Sequence, residues 1–313
     1  MPKVLLANHY EEPAFKLLES LLPSEFSLSQ LDAEDAQELK NKIVDCDYLI
    51  ASGRLKLDRE VLSCGQNLRM IARTGVGLDS IDLEALEELS LPLYVSEGVN
   101  AESVAEHTIL LMLAALRNFE EVASSTKSGE WLKRTWGLKA RELAGKKVFI
   151  AGLGNIGRKV LQLLSPFGCE VDGSNRLNKS SLPKGMLEAD IVSLHCPLTN
   201  ETKHLLDAET IAQLKPGCIV INTARGGLID EAALVDALRS GQIGYACLDV
   251  REEEPPSPLA LSHELNNVIL TPHVGGITNE SFTRMLNNAV ECIVAFDKGD
   301  LASIDSRRVS LFK

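Results

Sequence analysis

Short apolar runs of strand length alternate along this chain with longer segments of helical spacing. A first series reads "KVLLA" (3–7), "DYLIA" (47–51), "LRMIAR" (68–73) and "LPLYVS" (91–96). A second reads "KKVFIAG" (146–152), "CEVDGS" (169–174), "DIVSLH" (190–195), "CIVINTA" (218–224), "YACLDV" (245–250) and "NVILTPH" (267–273). Strands that are apolar almost throughout, separated by helices, predict parallel sheets covered on both faces. Between the two series lies "NAESVAEHTILLMLAALRNF" (100–119), with Asn100 in an N-cap position and residues 108–116 apolar on nearly every side. The pattern predicts a buried helix there, set against another domain or another subunit. After the last strand, "ESFTRMLNNAVECIVAFDKGD" (280–300) has helical period and offers a return path to the first series. The expectation is an α/β fold with a discontinuous first domain (1–99 and 281–313) around a continuous second one (100–280).

Composition agrees with two domains. The 313 residues, 45% hydrophobic and 24% charged, suffice for two substantial cores. A net charge of -12 argues against overall attraction to nucleic acid or an anionic membrane. No uninterrupted apolar stretch of about 18 residues occurs, and the opening "MPKVLLANHY" is too short in apolar content for a signal-peptide core. A cytoplasmic protein is expected. The seven cysteines (46, 64, 169, 196, 218, 247, 292) are odd in number, widely spaced and mostly within apolar runs. They suggest neither a disulfide framework nor a CxxC metal site, and no metal is expected. The acidic, proline-rich "REEEPPSP" (251–258) reads as a loop.

"VFIAGLGNIGRKV" places Gly152, Gly154 and Gly157 between a strand and a helical segment from Ile156 through Leu164. That is the setting a dinucleotide requires. Gly152 permits a tight turn, Gly154 clears the approach of a pyrophosphate, and Gly157 lets helix and strand pack closely, with unpaired helix N–H groups toward the phosphates. About 20 residues further on, an NAD-binding chain presents an acid to the ribose hydroxyls. Here that spot reads Asn175-Arg176. A carboxylate would repel the 2′-phosphate of NADP, whereas an amide followed by a guanidinium binds it, with Lys179 nearby. NADP is therefore favoured over NAD, the other reading being a solvated basic loop.

Ligands of open α/β sheets sit beyond the carboxyl ends of the strands. There "INTARGGLID" supplies Arg225, "CLDVREEEP" supplies Glu254 and "ILTPHVGG" supplies His273. Reduction of a 2-oxo acid needs a cation to orient carboxylate and carbonyl, and a proton donor for the carbonyl oxygen. A carboxylate bonded to the imidazole would fix its tautomer and raise its pKa. Each residue also has a bland reading: a loop histidine after Pro272, an arginine capping a turn, one acid among three. Histidines 9, 107, 195, 204 and 263 are expected to be structural, with His195 beside cofactor-side backbone at Cys196-Pro197.

Taken in order, "RTGVGLDSIDLEA" (73–85), "NAESVAEHTILLMLAALRN", "ELAGKKVFIAGLGNIGRKV", "HCPLTNETKHLL" (195–206), "NTARGGLIDEAALVDAL" (222–238), "ACLDVREEEP" and "NVILTPHVGG" span nearly the whole chain. The chain resembles the D-isomer-specific 2-hydroxyacid dehydrogenases, the group of D-3-phosphoglycerate dehydrogenase, glyoxylate and hydroxypyruvate reductases and D-lactate dehydrogenase. The resemblance implies two Rossmann-like parallel-sheet domains, a discontinuous flavodoxin-like substrate domain plus an inserted dinucleotide-binding domain. It implies that Arg225 binds substrate, that Glu254 partners the acid–base His273, and that the backbone of Gly75, Val76 and Gly77 holds the substrate carboxylate. Val76, Asn155, Ile156, Cys196, Thr223, Ala224, Arg225, Asp249, His273 and Gly275 would line the cofactor, Asp249 toward the nicotinamide carboxamide. A homodimer built on the nucleotide domains and a cleft closing around substrate are implied too. The chain's ending at Lys313, without the regulatory extension of longer relatives, leads to no expectation of serine control.

The substrate stays open at this stage. Arg54 and Lys56, in "ASGRLKLDRE", either meet a substrate's distal phosphate or are solvated loop charges. "EWLKRTWGLKARE" (130–142) adds Trp131, Trp136 and cations that could reach a neighbouring subunit's cleft. Hydroxypyruvate or glyoxylate reduction fits an NADPH enzyme, and 3-phosphoglycerate oxidation fits the basic loop. The alternative is a dinucleotide-sensing corepressor of the same fold.

Overall fold

The computed structural model describes residues 1–257 and 265–310, so His263, Pro258 and Lys313 lie outside the described residues. The chain divides into two compact units, Met1–Asn100 with Thr278–Lys313, and Ala101–Ile277. In chain order the first unit opens with β1 (Lys3–Leu6), α1 (Glu12–Leu21), β2 (Ser27–Gln30), α2 (Ala36–Ile43), β3 (Tyr48–Ala51), α3 (Arg59–Cys64), β4 (Met70–Arg73), α4 (Leu83–Glu88) and β5 (Leu93–Val95). The second unit follows with α5 (Ala101–Arg117), α6 (Phe119–Lys127), β6 (Lys147–Ala151), α7 (Asn155–Leu164), β7 (Glu170–Ser174), α8 (Lys184–Leu187), β8 (Ile191–Leu194), α9 (Ala208–Gln213), β9 (Cys218–Asn222), α10 (Glu231–Ser240), β10 (Ile243–Leu248) and β11 (Val268–Leu270). The chain then returns to the first unit as α11 (Asn279–Asp297), started by a reciprocal capping box between Thr278 and Ser281.

The first unit is a five-stranded parallel sheet in the order β2-β1-β3-β4-β5. Period-two alternation splits its strands between two cores. Val4 and Leu6 face α1 and α11, while Leu5 and Ala7 face the α2–α4 side. β2 has no counterpart among the expected strands: "SLSQ" is half-exposed at the sheet edge and carries a single leucine, too little apolar signal to announce a strand.

The second unit is a six-stranded parallel sheet in the order β11-β10-β9-β8-β6-β7. Val148 and Ile150 of β6 join the core beneath α5 and α7, whereas Phe149 and Ala151 join the opposite one. The order reverses at β6, whose neighbours are β7 and β8, so the crevice for a ligand opens beyond the ends of β6 and β8. The helix expected over 100–119 breaks at Asn118, which takes a left-handed conformation (φ 44°) that asparagine tolerates, and α6 resumes from Phe119. Most of α5 is buried on that unit's own sheet, but Leu110 is 59% exposed. Among the described residues no helix is long and apolar enough to cross a membrane. All seven cysteines are free thiols; five are buried and Cys64 and Cys169 half-buried.

Candidate active site

The glycine turn shows on its backbone why each glycine is there. Gly152 sits at φ 108°, and a Cβ on it would lie 2.6 Å from the backbone nitrogen of Cys196. A Cβ on Gly157 would lie 1.9 Å from the carbonyl oxygen of Gly152, so helix α7 can approach β6 only with glycine there. Gly154 is different: a Cβ there meets nothing within 4 Å, and the residue caps α7 without any side-chain bond to the helix N–H groups. Open space at the start of α7, beside Asn155 and Ile156, is what a pyrophosphate approaching the helix N-terminus needs. The residues fit a dinucleotide.

At the end of β7, Asn175 Oδ1 accepts a 2.5 Å bond from the backbone N–H of Leu153, tying the ribose-side residue to the glycine turn. Ser174 Oγ brackets the backbone N–H and carbonyl of Arg176 at 3.0 and 3.2 Å. The Arg176 side chain is exposed and makes no hydrogen bond or ion pair among the described residues. Lys179 lies 3.6 Å from Asp207, the N-cap of α9. Arg158, which the sequence reading passed over, reaches back with Nε to the carbonyl of Leu153 at 2.9 Å.

Arg225, Glu254 and His273 follow the adjacent strands β9, β10 and β11, which stay in register to their ends through Asn222, Leu248 and Leu270. The buried Asn222 amide shapes the first turn, donating to the Arg225 carbonyl (2.9 Å) and accepting from Ala224 N–H (3.1 Å). Arg225 is half-buried, with Nη1 on the Ala224 carbonyl at 2.7 Å. Neighbouring Thr223 is buried, its hydroxyl 3.1 Å from that of Thr108. Cys196 is buried as well, which pushes its thiol up to about 11. Burial also pushes the His195 imidazole down to about 3, with Nε2 2.8 Å from Ser193 Oγ, so that ring stays neutral.

His273 adopts φ 55°, rare for a residue with a side chain, and is held there by its N–H to the Asp249 and Thr271 carbonyls at 2.8 and 3.0 Å. Its Nδ1 is 2.7 Å from Glu254 Oε2. A carboxylate only accepts, so Nδ1 carries the hydrogen and Nε2 is left for chemistry. The Glu254 bond raises the imidazole pKa against the opposing effect of burial, with Asp249 adding to the rise and Arg225 opposing it. Burial pushes Glu254 up, but the bonds from His273 and Arg251 outweigh it and hold the carboxyl below its usual range.

Asp249 lies beneath this pair. Its Oδ1 accepts from Thr271 Oγ1 (2.6 Å) and Val274 N–H (2.9 Å), its Oδ2 from Gly275 N–H (2.8 Å), and His107 Nε2 is 3.5 Å away. Burial alone would raise this carboxyl; bonds from His107, Thr271, Gly275 and Val274 bring it down to about 2. Gly275 is packed tightly, a Cβ there falling 2.8 Å from Asp249 Oδ2. His107 and Thr271 had no signal in the sequence, because their part depends on a contact 164 residues apart.

The residues expected in the first unit gather at the carboxyl ends of its own sheet. Gly75 and Val76 lie in the bend after β4 and Gly77 follows it; the Gly75 carbonyl accepts from Ser96 N–H at 3.3 Å and Val76 is exposed. Arg54, after β3, is paired with Glu34 at 2.7 Å, and Lys56 is exposed.

A glycine turn at a sheet's switch point, with arginine, glutamate and histidine on three neighbouring strand ends, defines a dinucleotide-dependent oxidoreductase class. The comparisons place the chain within it. Residues 109–275 match the D-isomer specific 2-hydroxyacid dehydrogenase, NAD binding domain. A D-3-phosphoglycerate dehydrogenase of Methanocaldococcus jannaschii is 37% identical over 96% of this chain and 59% of its own length. A hydroxypyruvate reductase of Thermotoga maritima is 36% identical over 91% of this chain and 96% of its own. The NAD-dependent formate dehydrogenase of Staphylococcus aureus, solved with NAD, superposes with a TM-score of 0.83 at 27% identity over 96% of each chain. The chain belongs to the D-isomer specific 2-hydroxyacid dehydrogenase family. It spans less than two thirds of the phosphoglycerate dehydrogenase it matches and nearly all of the hydroxypyruvate reductase.

Proposed function

We propose that this chain is a cytoplasmic NADP-preferring 2-oxoacid reductase, a D-2-hydroxyacid dehydrogenase working on hydroxypyruvate or glyoxylate. The observation that carries the reading is the 2.7 Å bond between His273 Nδ1 and Glu254 Oε2 beside Arg225. The chemistry a bound nicotinamide supplies is transfer of a hydride to or from C2 of the substrate. The Gly152–Gly157 turn and α7 hold its pyrophosphate, and Thr223, Ala224 and Cys196 line its bed. Arg225 orients the substrate's carboxylate and carbonyl with its guanidinium. His273 gives its Nε2 proton to the C2 oxygen in reduction and takes it back in oxidation. Glu254 keeps the ring charged to higher pH, which suits the reductive direction.

The Arg54–Glu34 pair favours an unphosphorylated substrate, since a phosphate would have to displace a carboxylate already on that arginine. Arg176, with no partner of its own among the described residues, favours NADPH. The test is kcat/KM with hydroxypyruvate, glyoxylate and 3-phosphoglycerate, each with both cofactors, for the native chain, Arg176→Ala and His273→Ala. His273→Ala is expected to lose about 10²–10⁴-fold in turnover with cofactor affinity intact, and Arg176→Ala to lose most of the NADPH preference. Cofactor binding without turnover of any 2-oxo or 2-hydroxy acid would instead leave a dinucleotide sensor. Leu110, Phe119, Trp131 and Leu138 are each exposed on the second unit and favour a homodimer that would bury them. Sedimentation at micromolar concentration reads it: a monomer there removes the dimer from the proposal.

A further inference from the structure

Arg251 opens a run of three acids within the segment that reads in the sequence as a loop. Its side chain is instead only 7% exposed, with its guanidinium forked onto Glu231: Nε to Oε1 at 2.9 Å and Nη2 to Oε2 at 2.8 Å. Glu231 is the first residue of α10, a ten-residue helix capped by Asp230 and packed on β10. The same Glu231 Oε1 also accepts from the N–H of Glu252 at 2.8 Å, and Glu252 in turn holds His204 at 2.6 Å. The strand-to-loop segment after β10 is thus fastened to the start of a helix by three donors on one carboxylate.

That fastening bears on the acid–base pair. The N–H of Arg251 donates to Glu254 Oε1 at 2.9 Å, while Glu254 Oε2 holds His273. On its other side the Arg251 carbonyl backs the turn that presents Arg225: a Cβ on Gly226 would fall 1.9 Å from the Arg251 carbonyl carbon. The backbone of one residue, Arg251, therefore touches both the carboxylate that orients the histidine and the turn that presents the substrate-binding arginine.

We infer that the Arg251–Glu231 ion pair is a positioning device for the reaction, fixing the Arg251 backbone, whose N–H holds Glu254 against His273 and whose carbonyl braces the Arg225 turn. The inference rests on the acid–base reading of His273 given above. The charged groups facing His273 are Glu254, Asp249 and Arg225. Arg251 acts on the ring through Glu254, by bonds and not by direct contact. A substitution at Arg251 that lowers the pH at which His273 titrates does so by loosening Glu254, since loosening Arg225, which opposes the charged ring, would move it the other way.

The test uses the full chain with Arg251→Met, Arg251→Lys and Glu231→Gln, and His273→Gln to assign the imidazole signal. Proton NMR of the protein without added cofactor reads the titration of His273; kcat and KM against pH, and urea denaturation, read the rest. Arg251→Met is expected to move the His273 titration to lower pH and to lower kcat for reduction about tenfold at neutral pH, the size of a disturbed general acid, with KM for the cofactor unchanged. Arg251→Lys, which keeps the charge and loses the fork, is expected to fall between Arg251→Met and the native chain. Should Arg251→Met not fold, Glu231→Gln and Arg251→Lys carry the same expectation in milder form. A lower urea midpoint with the His273 titration and kcat of the folded protein unchanged overturns the inference and leaves the pair purely structural. His273→Gln reports separately on the reading beneath it: full turnover there sinks the acid–base role whatever Arg251 does to the titration.

Discussion

Two histidine–carboxylate pairs meet near the ends of β10 and β11 in the second unit, His107–Asp249 and His273–Glu254, and they differ in burial, spacing and in what their carboxylates bond. His107 and Asp249 are 15% and 3% exposed in their side chains and 3.5 Å apart, and the carboxylate takes its closest bonds from Thr271 and two backbone N–H groups. His273 and Glu254 are 52% and 38% exposed and 2.7 Å apart, with one carboxylate oxygen given to the ring. The buried pair spends its acceptor capacity on building the 271–275 turn. The open pair spends it on a proton. Carboxylate beside imidazole therefore does not by itself mark an acid–base pair; the role proposed for His273 rests on its greater exposure and its short bond to Glu254.

Asp249→Asn breaks this contrast from the buried side and has the largest expected effect. An asparagine offers one accepting oxygen, so its NH₂ would be driven against Gly275 N–H or against the Thr271 and Val274 donors. We expect a loss of about 2–4 kcal/mol of folding stability, the range for stranding buried donors around a group that was charged, read as a urea midpoint at pH 6. The sign with pH follows from the depressed carboxyl. A group brought from 3.8 to about 2 contributes stability fully present above its unfolded pKa and lost as pH falls toward 2. The stability gap between the native chain and Asp249→Asn should accordingly narrow from pH 6 to pH 3; a constant gap would assign the loss to packing alone.

The same contrast explains what could be read from the sequence. The placement of Arg225, Glu254 and His273 past the ends of β9, β10 and β11 was legible because a parallel strand announces itself by its apolar run, and the residues beyond its carboxyl end fall on the ligand side of the sheet. The glycine turn was legible because its spacing between a strand and a helix is local, although the contact that demands Gly152 comes from Cys196 and Gly154 faces open space. β2 was not, since a half-exposed edge strand with one leucine lacks the apolar excess that marks a buried one. Nor was the buried role of Arg251: an arginine among acids has no periodicity, and its partner Glu231 lies 20 residues earlier across a helix and a strand. Arg54 was visible as a cation but not as a paired one, because Glu34 approaches it from a different loop.

Glu254→Gln sharpens the contrast from the open side, with a smaller effect in free energy but a more specific one. Glutamine matches the shape and keeps one acceptor, yet it removes the charge that raises the His273 pKa. A raised folded pKa keeps the ring protonated up to higher pH, so losing it moves the alkaline limb of the reductive kcat profile to lower pH. At pH 8 the reductive rate should fall about tenfold, equivalent to roughly 1.4 kcal/mol in the barrier. Oxidation, which needs the neutral ring, should be hurt less there. Both groups are more than a third exposed, so water already screens the pair and the urea midpoint should stay within about 0.5 kcal/mol of the native chain. Equal losses in both directions with an unmoved limb would show Glu254 acting as Asp249 does, by holding backbone, and the distinction between the two pairs would collapse.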